Sequence, residues 1–266
     1  MIDVCYQKKF FQKFSLKVNQ IWYPGAVSVS ELLRQRRRAD ILFVHGVPFE
    51  QTKGRFCGWQ EYHTCMNDIT RPEEEMLAAV NKAVRYQFRR SEKDQLEVQF
   101  YTKTDIAQSP ELMDTFAKLY ERMYQSKGSD TKLNVSAVQK YLEADAILFS
   151  AVWHEGEMLV FHSYICDATD ARLLHSASCF REESADQSMI GRANKRLHWE
   201  DILYFKKKGL LRYDWGGISD FDNPNGIDEF KLKFGGDKIT YYNVFAGNTL
   251  SGKLAVTAMK LLKRVN

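Results

Sequence analysis

The stretch that decides the fold reads QSMIGRANKRLHWEDILYFKKKGLLRYDWGGISDFDNPNGIDEFKLKFGG, residues 187–236. Trp199, Ile202 and Leu203 keep the spacing of one helix face. Lys208 followed by Gly209 has the form of a helix C-terminus, where a glycine takes the left-handed conformation that closes the last turn. The run 211–215 reads as a strand, Gly216-Gly217 as a sharp turn, and a short helix is expected before Gly235-Gly236.

Upstream, residues 147–179 change to β-rich runs broken at residues 154–157 and 167–170, which predicts a three-stranded antiparallel meander. Two amphipathic helices are expected before it. One spans 110–125, with Leu112, Phe116, Leu119, Tyr120 and Met123 in helical period, and the other spans 136–144, opened by Ser136 with Gln139 as a capping box. A strand at 96–101 precedes them, and before that a single helix is expected over about 70–93, opened by Thr70, Pro72 and Glu73. Its apolar stripe is Val80, Val84 and Phe88, while Lys82, Arg85, Arg89 and Lys93 form a cationic ridge on another face. Downstream, residues 239–245 read as a closing strand, and Leu254, Ala258, Leu261, Leu262 and Val265 as the apolar face of a last helix. Residues 1–68 read as strands and turns, among them a run at 21–23 before Pro24-Gly25, a run at 41–44, and a helical turn or two over 31–38 with Arg34, Arg36, Arg37 and Arg38 on a solvated face. The expected division is an N-terminal β-rich extension at 1–68 and a larger domain at 69–266.

With 266 residues, 44% hydrophobic and 27% charged, the chain has the profile of a folded protein of one complete domain and a partial one. The net charge of +4 permits an anionic ligand without demanding a nucleic acid. Five cysteines without a CxxC pair argue against a disulfide framework or a zinc site and fit the reducing cytoplasm. Lys8, Lys9, Lys13 and Lys17 interrupt the N-terminal apolar runs, so neither a signal peptide nor a membrane span is expected there. Any membrane role is expected to be peripheral, at the inner face.

Two leading helices, a meander, a β-α-β unit, another helix and a final strand reproduce the order of elements in the GNAT fold. Four segments carry a closer resemblance: Gly191-Arg192-Ala193-Asn194, Leu197-His198-Trp199-Glu200, Tyr213-Asp214-Trp215-Gly216-Gly217-Ile218, and Phe230-Lys231-Leu232-Lys233-Phe234-Gly235-Gly236. The series resembles the C-terminal half of Fem-type aminoacyltransferases and their GNAT relatives, and residues 81–98 resemble the basic helix that opens the catalytic half in that family. The resemblance implies an α/β fold with a mixed sheet: a GNAT fold with a partial N-terminal extension, GNAT-like or β-rich. Lys233 stands where the family commonly has glycine.

The family implies transfer of an acyl or aminoacyl group to an amine. Such chemistry needs a grip on an activated donor, a route for the amine proton and stabilisation of a tetrahedral oxyanion, with no strict need for a nucleophile. In GNAT proteins a splayed strand pair and the N-terminus of the following helix serve the donor. Here that helix starts at residues 187–193, where Ser188-Met189-Ile190-Gly191-Arg192-Ala193 departs from the usual R/Q-x-x-G-x-G/A loop at its first position. Gly191, Arg192 and Asn194 are the expected donor contacts, and the plainer alternative is an ordinary helix start. Asp214, at a strand end beside Trp215, Gly216 and Gly217, is expected to orient or deprotonate the amine, although an aspartate before two glycines often only caps a turn. Lys231 is the expected partner of the oxyanion or phosphate, with Lys233 beside it, and the plainer alternative is the polar face of a short helix. His198 is a further candidate base against a structural alternative. The histidines form no HExxH pair, so no metal is expected, and no GxSxG or Cys/His motif points to a nucleophile.

The expected function is a transferase moving an acyl or aminoacyl group to an amine on a cell-envelope glycan, peptide or lipid-linked precursor. No tightly bound cofactor is expected. Acyl-CoA, through the helix start, and aminoacyl-tRNA, through the ridge with Arg85 and Arg89, both stand as co-substrates, and DNA is not an expected partner. The alternative is a non-catalytic module that binds an anionic lipid-linked or RNA ligand through the same cations.

Overall fold

The computed structural model describes residues 1–10, 14–22, 27–35, 39–54, 56–182 and 186–266. Lys13, Pro24, Gly25 and Arg36 to Arg38, named above, lie outside the described residues. The chain forms two compact units, residues 1–63 with 239–266, and residues 64–238.

The first unit contains β1 (Ile2–Phe10), β2 (Phe14–Trp22), α1 (Val29–Gln35), β3 (Ile41–Val47) and α9 (Leu250–Leu261), and shares β4 (Cys57–Asp68) and β10 (Asp237–Gly247) along the chain with the second. β1 and β2 pair antiparallel, β2 and β3 parallel, and β3 and β10 antiparallel with a bulge between Tyr242 and Val244. Because side chains alternate along a strand, the two faces bury different sets. Ile21, Leu42, Val44 and Ala246 pack with Val29 and Leu32 of α1. Val18, Ile41 and Phe245 pack with Ala255, Val256 and Met259 of α9.

The inward face of α9 differs from the expected one, since Leu254, Leu261 and Leu262 are exposed and Gly252, Ala255, Val256 and Met259 are buried. The reason is close approach. A Cβ on Gly252 would stand 1.8 Å from the Asp40 carbonyl oxygen, so only the small-residue face reaches this position, where Asp40 also accepts from Thr249 and Ser251.

The second unit holds the expected meander of β6 (Ile147–His154), β7 (Glu157–Cys166) and β8 (Asp170–Ser178), with β5 (Glu97–Tyr101) antiparallel on β6. β9 (Arg212–Ile218) pairs parallel with β8. Helices α2 (Glu73–Ala79), α3 (Lys82–Ser91), α4 (Lys103–Gln108), α5 (Glu111–Gln125), α6 (Val135–Glu143), α7 (Gln187–Lys207) and α8 (Gly226–Leu232) surround these strands. Trp199, Ile202 and Phe205 of α7 share a core with Tyr213 and Trp215 of β9, Val84 of α3 and Phe234.

The helix expected over 70–93 is two helices. Val80 and Asn81 are extended, Asn81 Oδ1 accepts from Ala83 N at 2.9 Å to start α3, and the Asn81 amide donates to the Lys233 carbonyl at 2.8 Å instead of continuing a helix ladder. Thr70 does not cap, because its amide and hydroxyl both donate to Asp68 Oδ1. The expected Ser136 cap is also displaced: Asn134 opens α6 by accepting from Ala137 N. The short α4 was not expected, although Thr102 and Asp105 form a capping box at its start. The division into units departs from the expected break at residue 68, since the last strand and helix pack with the N-terminal strands.

Candidate functional site

β8 and β9 pair at only three positions, Asp170 with Arg212, Ala171 with Tyr213 and Arg172 with Asp214, although β8 continues to Ser178 and β9 to Ile218. Beyond Arg172 the two strands part. A cleft of about 460 Å³ lies beside the second half of β8, lined by Leu173, Ser176, Ala177 and Ser178, by α7 and by α8.

The α7 wall presents Gly191, Asn194, Lys195 and His198, which follow i, i+3, i+4 and i+7 and so occupy one helix face. The α8 wall presents Gly226, Ile227, Phe230 and Lys231. Asn225 closes the turn before α8 as a capping box with Asp228, whose carboxylate also accepts from Ser219, and this fixes where Lys231 emerges. Four cations line the cleft, Lys127, Arg181, Lys195 and Lys231, and no carboxylate does among the described residues. Burial pushes Lys231 below the ordinary lysine range, although Asp228 and Asp214 act to hold its proton. Burial, then Lys233 and Arg192, also lower Lys195, which donates to the Gly191 carbonyl at 3.0 Å.

Behind His198 runs a buried polar chain. His198 Nδ1 meets the Tyr213 hydroxyl at 2.8 Å, Tyr213 meets Tyr164 at 2.8 Å, Tyr164 donates to Asp201 Oδ2 at 2.5 Å, Asp201 meets His162 Nδ1 at 2.7 Å, and His162 Nε2 meets Asn194 Oδ1 at 2.9 Å. With the Tyr164 hydroxyl donating to Asp201 Oδ2, the Tyr164 oxygen is free to accept from Tyr213, whose oxygen accepts the Nδ1 hydrogen of His198. In that arrangement the His198 lone pair sits on Nε2. Burial, the stacked His162 ring at 4.0 Å and Lys231 hold His198 well below the ordinary histidine range. Tyr164 and Tyr213 are pushed up, first by burial and then by Asp201. His162, His198 and Asp201 offer ligand atoms within 4.8 Å of one another, but these hydrogen bonds engage His198 Nδ1, both His162 nitrogens and one Asp201 oxygen, so the group reads as a relay before it reads as a metal set.

Of the residues expected from sequence, the cleft gathers His198, Lys231, Gly191 and Asn194. Asp214 is fully buried behind it. Its Oδ1 accepts from the Thr64 hydroxyl and from Gly216 N at 2.8 Å, and Arg172 Nε lies 3.6 Å from Oδ2. Lys231 Nζ donates to the Gly217 carbonyl at 2.6 Å, so the two residues meet through the Gly216-Gly217 stretch of β9 and not in one cavity. The sharp turn expected at these glycines is strand instead: β9 runs on to Ile218, and Gly216 supplies a φ of +69° within it. Trp215 is core, its Nε1 donating to Asn67 at 2.6 Å. Arg192 faces away from the cleft in a two-bond pair with Asp94 at 2.6 and 2.8 Å. Lys233 is exposed and 4.0 Å from Glu229. On α3, Lys82 and Arg89 are exposed and Arg85 half-buried, with Val84 buried behind them, so the ridge is a surface feature outside the cleft lining. Sequence reading missed Lys195, although the 191, 194, 195, 198 spacing contains it, and missed His162, Tyr164 and Asp201.

At the expected helix-start site for phosphate, Asp186 caps α7 by accepting from Met189 N at 2.9 Å, which puts a carboxylate on one of the amides there.

No protein-family model matches the sequence, and no curated protein matches it. Solved structures do match in fold. FemX is 14% identical, with 97% of this chain and 86% of that one covered and a TM-score of 0.62. The C-terminal domain of a putative lysylphosphatidylglycerol synthetase from Agrobacterium fabrum is 12% identical over 92% and 82% of the two chains, with a TM-score of 0.59. L-PGS from Bacillus licheniformis is 12% identical over 97% and 86%, with a TM-score of 0.57. The mixed sheet, the parting of β8 from β9 and these likenesses together show that the chain shares its fold with FemX and with the two synthetase structures.

Proposed function

We propose that the chain is a transferase that moves an aminoacyl group from aminoacyl-tRNA to an amine on a cell-envelope precursor, with the cleft between β8, α7 and α8 as the reaction chamber. The observation that carries this reading is the cleft itself: an apolar cavity with four cations, no lining carboxylate among the described residues, and one buried histidine at the end of a relay. The likeness in fold to FemX and to lysylphosphatidylglycerol synthetase supports aminoacyl transfer as the class. Between the two donors, the Asp186 cap weighs against acyl-CoA gripped at the α7 start. The lining cations suit the phosphates of a tRNA 3′ end, and the α3 ridge suits its stem.

In this mechanism the acceptor amine attacks the ester carbonyl of the donor. His198 takes the amine proton on Nε2, and the resulting charge is spread along Tyr213 and Tyr164 toward Asp201. Lys231 faces the tetrahedral oxyanion. Collapse releases the tRNA ribose hydroxyl, which recovers the proton. Asp214 acts as a positioning residue: it holds the Gly216 amide, hence the Gly217 carbonyl to which Lys231 is tied. The test is single-turnover consumption of charged tRNA pools, with acyl-CoA as the parallel arm, read by mass spectrometry with amine-bearing precursors. Transfer from acyl-CoA alone would replace the donor, and transfer to a hydroxyl alone would replace the acceptor.

A second reading keeps one specific observation, the enclosure of Asp214 away from the cavity. On that reading the chain binds an anionic lipid-linked or RNA ligand without turnover. Saturable binding with no product from any donor would favour it.

A further inference from the structure

α9 carries apolar side chains on two opposite faces. The inner face is packed. On the outer face Leu250, Leu254 and Leu261 follow i, i+4 and i+11, within a narrow arc of the helix wheel, and they are 76%, 64% and 80% exposed. Leu262, one residue past the helix, is 58% exposed. A surface helix of a water-borne unit ordinarily turns polar residues outward, and a run of solvated leucines marks a binding surface. The charges within the same stretch of chain are of one sign, the Asp40 carboxylate at the start of the helix being engaged by Thr249 and Ser251. From residue 250 to 266 the chain has Lys253, Lys260, Lys263 and Arg264 and neither Asp nor Glu. Lys253 and Lys260 lie seven residues apart, along the flank of the leucine arc.

We infer that the outer face of α9 docks on the anionic surface of a phospholipid bilayer, with the helix lying in the interfacial plane. Leucines would enter the boundary between headgroups and acyl chains, and the flanking cations would reach lipid phosphates along their own apolar stems. Charge complementarity selects this occupant. A second copy of the chain on the same face would set four cations against four, with no carboxylate in the segment to compensate, which costs a self-complementary interface its electrostatics. The inference does not depend on the transfer reaction, because it is read without donor or acceptor.

The experiment is co-sedimentation of the full chain with vesicles of phosphatidylcholine alone and of equal parts phosphatidylcholine and phosphatidylglycerol. Binding is expected on the mixed vesicles, weaker on the neutral ones and falling with added salt. Leu254→Ser with Leu261→Ser, both at exposed positions, should lower partitioning by about tenfold or more. Lys260→Gln with Lys263→Gln should weaken binding and flatten its salt dependence. The inference is overturned if the wild-type chain ignores mixed vesicles, if the leucine pair changes nothing, or if the leucine pair dissolves a dimer seen without lipid.

Discussion

His198 and Lys231 sit on facing walls of one cavity, and burial pushes both toward their neutral forms. The consequences for catalysis have opposite signs. A neutral imidazole is what a general base requires, so His198 stays competent to pH values below the ordinary histidine range. A cation is what an oxyanion requires, so Lys231 loses its function as pH rises through a pKa lower than that of a free lysine. Activity should therefore fall on the alkaline side earlier than a solvated lysine would allow, and Lys231→Arg should move that limb upward. His198→Gln and Lys231→Ala should each lower kcat/KM by about 10²- to 10³-fold while the fold persists, which circular dichroism would check. Asp214→Asn should act through Lys231, shifting the alkaline limb as well as the rate; a loss of rate with an unmoved limb would leave Asp214 a structural strut. The relay behind His198 was not legible in the sequence. His162 and Asp201 are 39 residues apart, and Tyr164 and Tyr213 are 49 apart, so no local spacing announces their contacts.

At the scale of elements, α7 and the start of β9 could be read because period and punctuation agree, with helical spacing up to Lys208 and Gly209 at φ +85°, whereas β9 runs on through Gly216 and Gly217, where a turn was expected. α2 and α3 could not be separated by the same means. The break at Val80 and Asn81 depends on the Lys233 carbonyl, which arrives from over 150 residues away. α9 shows how two apolar stripes defeat a periodicity argument, since the choice between them was made by the space over Gly252. Gly252→Ala should test that space directly. Helix propensity favours alanine by about 1 kcal/mol, whereas the added Cβ would collide with the Asp40 carbonyl, a backbone atom, and overpacking of this kind costs about 1–3 kcal/mol or more. Net destabilisation in urea titration is expected, and a stabilised variant would show that α9 can lift from β3 without cost.

Whole-molecule stability carries a pH signature from the buried histidines. His198 is held well below the ordinary value of 6.5, and burial takes His175 from 6.5 to about 4. In both cases the unfolded chain binds the proton first, so this stability is fully present above pH 6.5 and drains away as pH falls from there toward 4. Each histidine can contribute a slope of at most about 1.4 kcal/mol per pH unit. Urea midpoints measured across that window should decline, and His175→Gln, at a side chain bonded to Ser163 and not among the cleft lining, should make the decline shallower.

The larger unit, residues 64–238, is spliced into the smaller one, whose strands come from both sides of it in the chain. During synthesis β1, β2 and β3 emerge first, yet β3 must wait for β10, whose residues follow the whole of the inserted unit. The inserted unit has all its own residues as soon as residue 238 is out, so the order of folding on the ribosome is set to run inside-out, with residues 64–238 settling before residues 1–63. Until then the edge of β3 is an open template for foreign strands. A nascent chain stalled once residue 238 has left the ribosome should therefore yield a protease-resistant central fragment with a sensitive N-terminal arm, and only emergence of residues 239–266 should protect both.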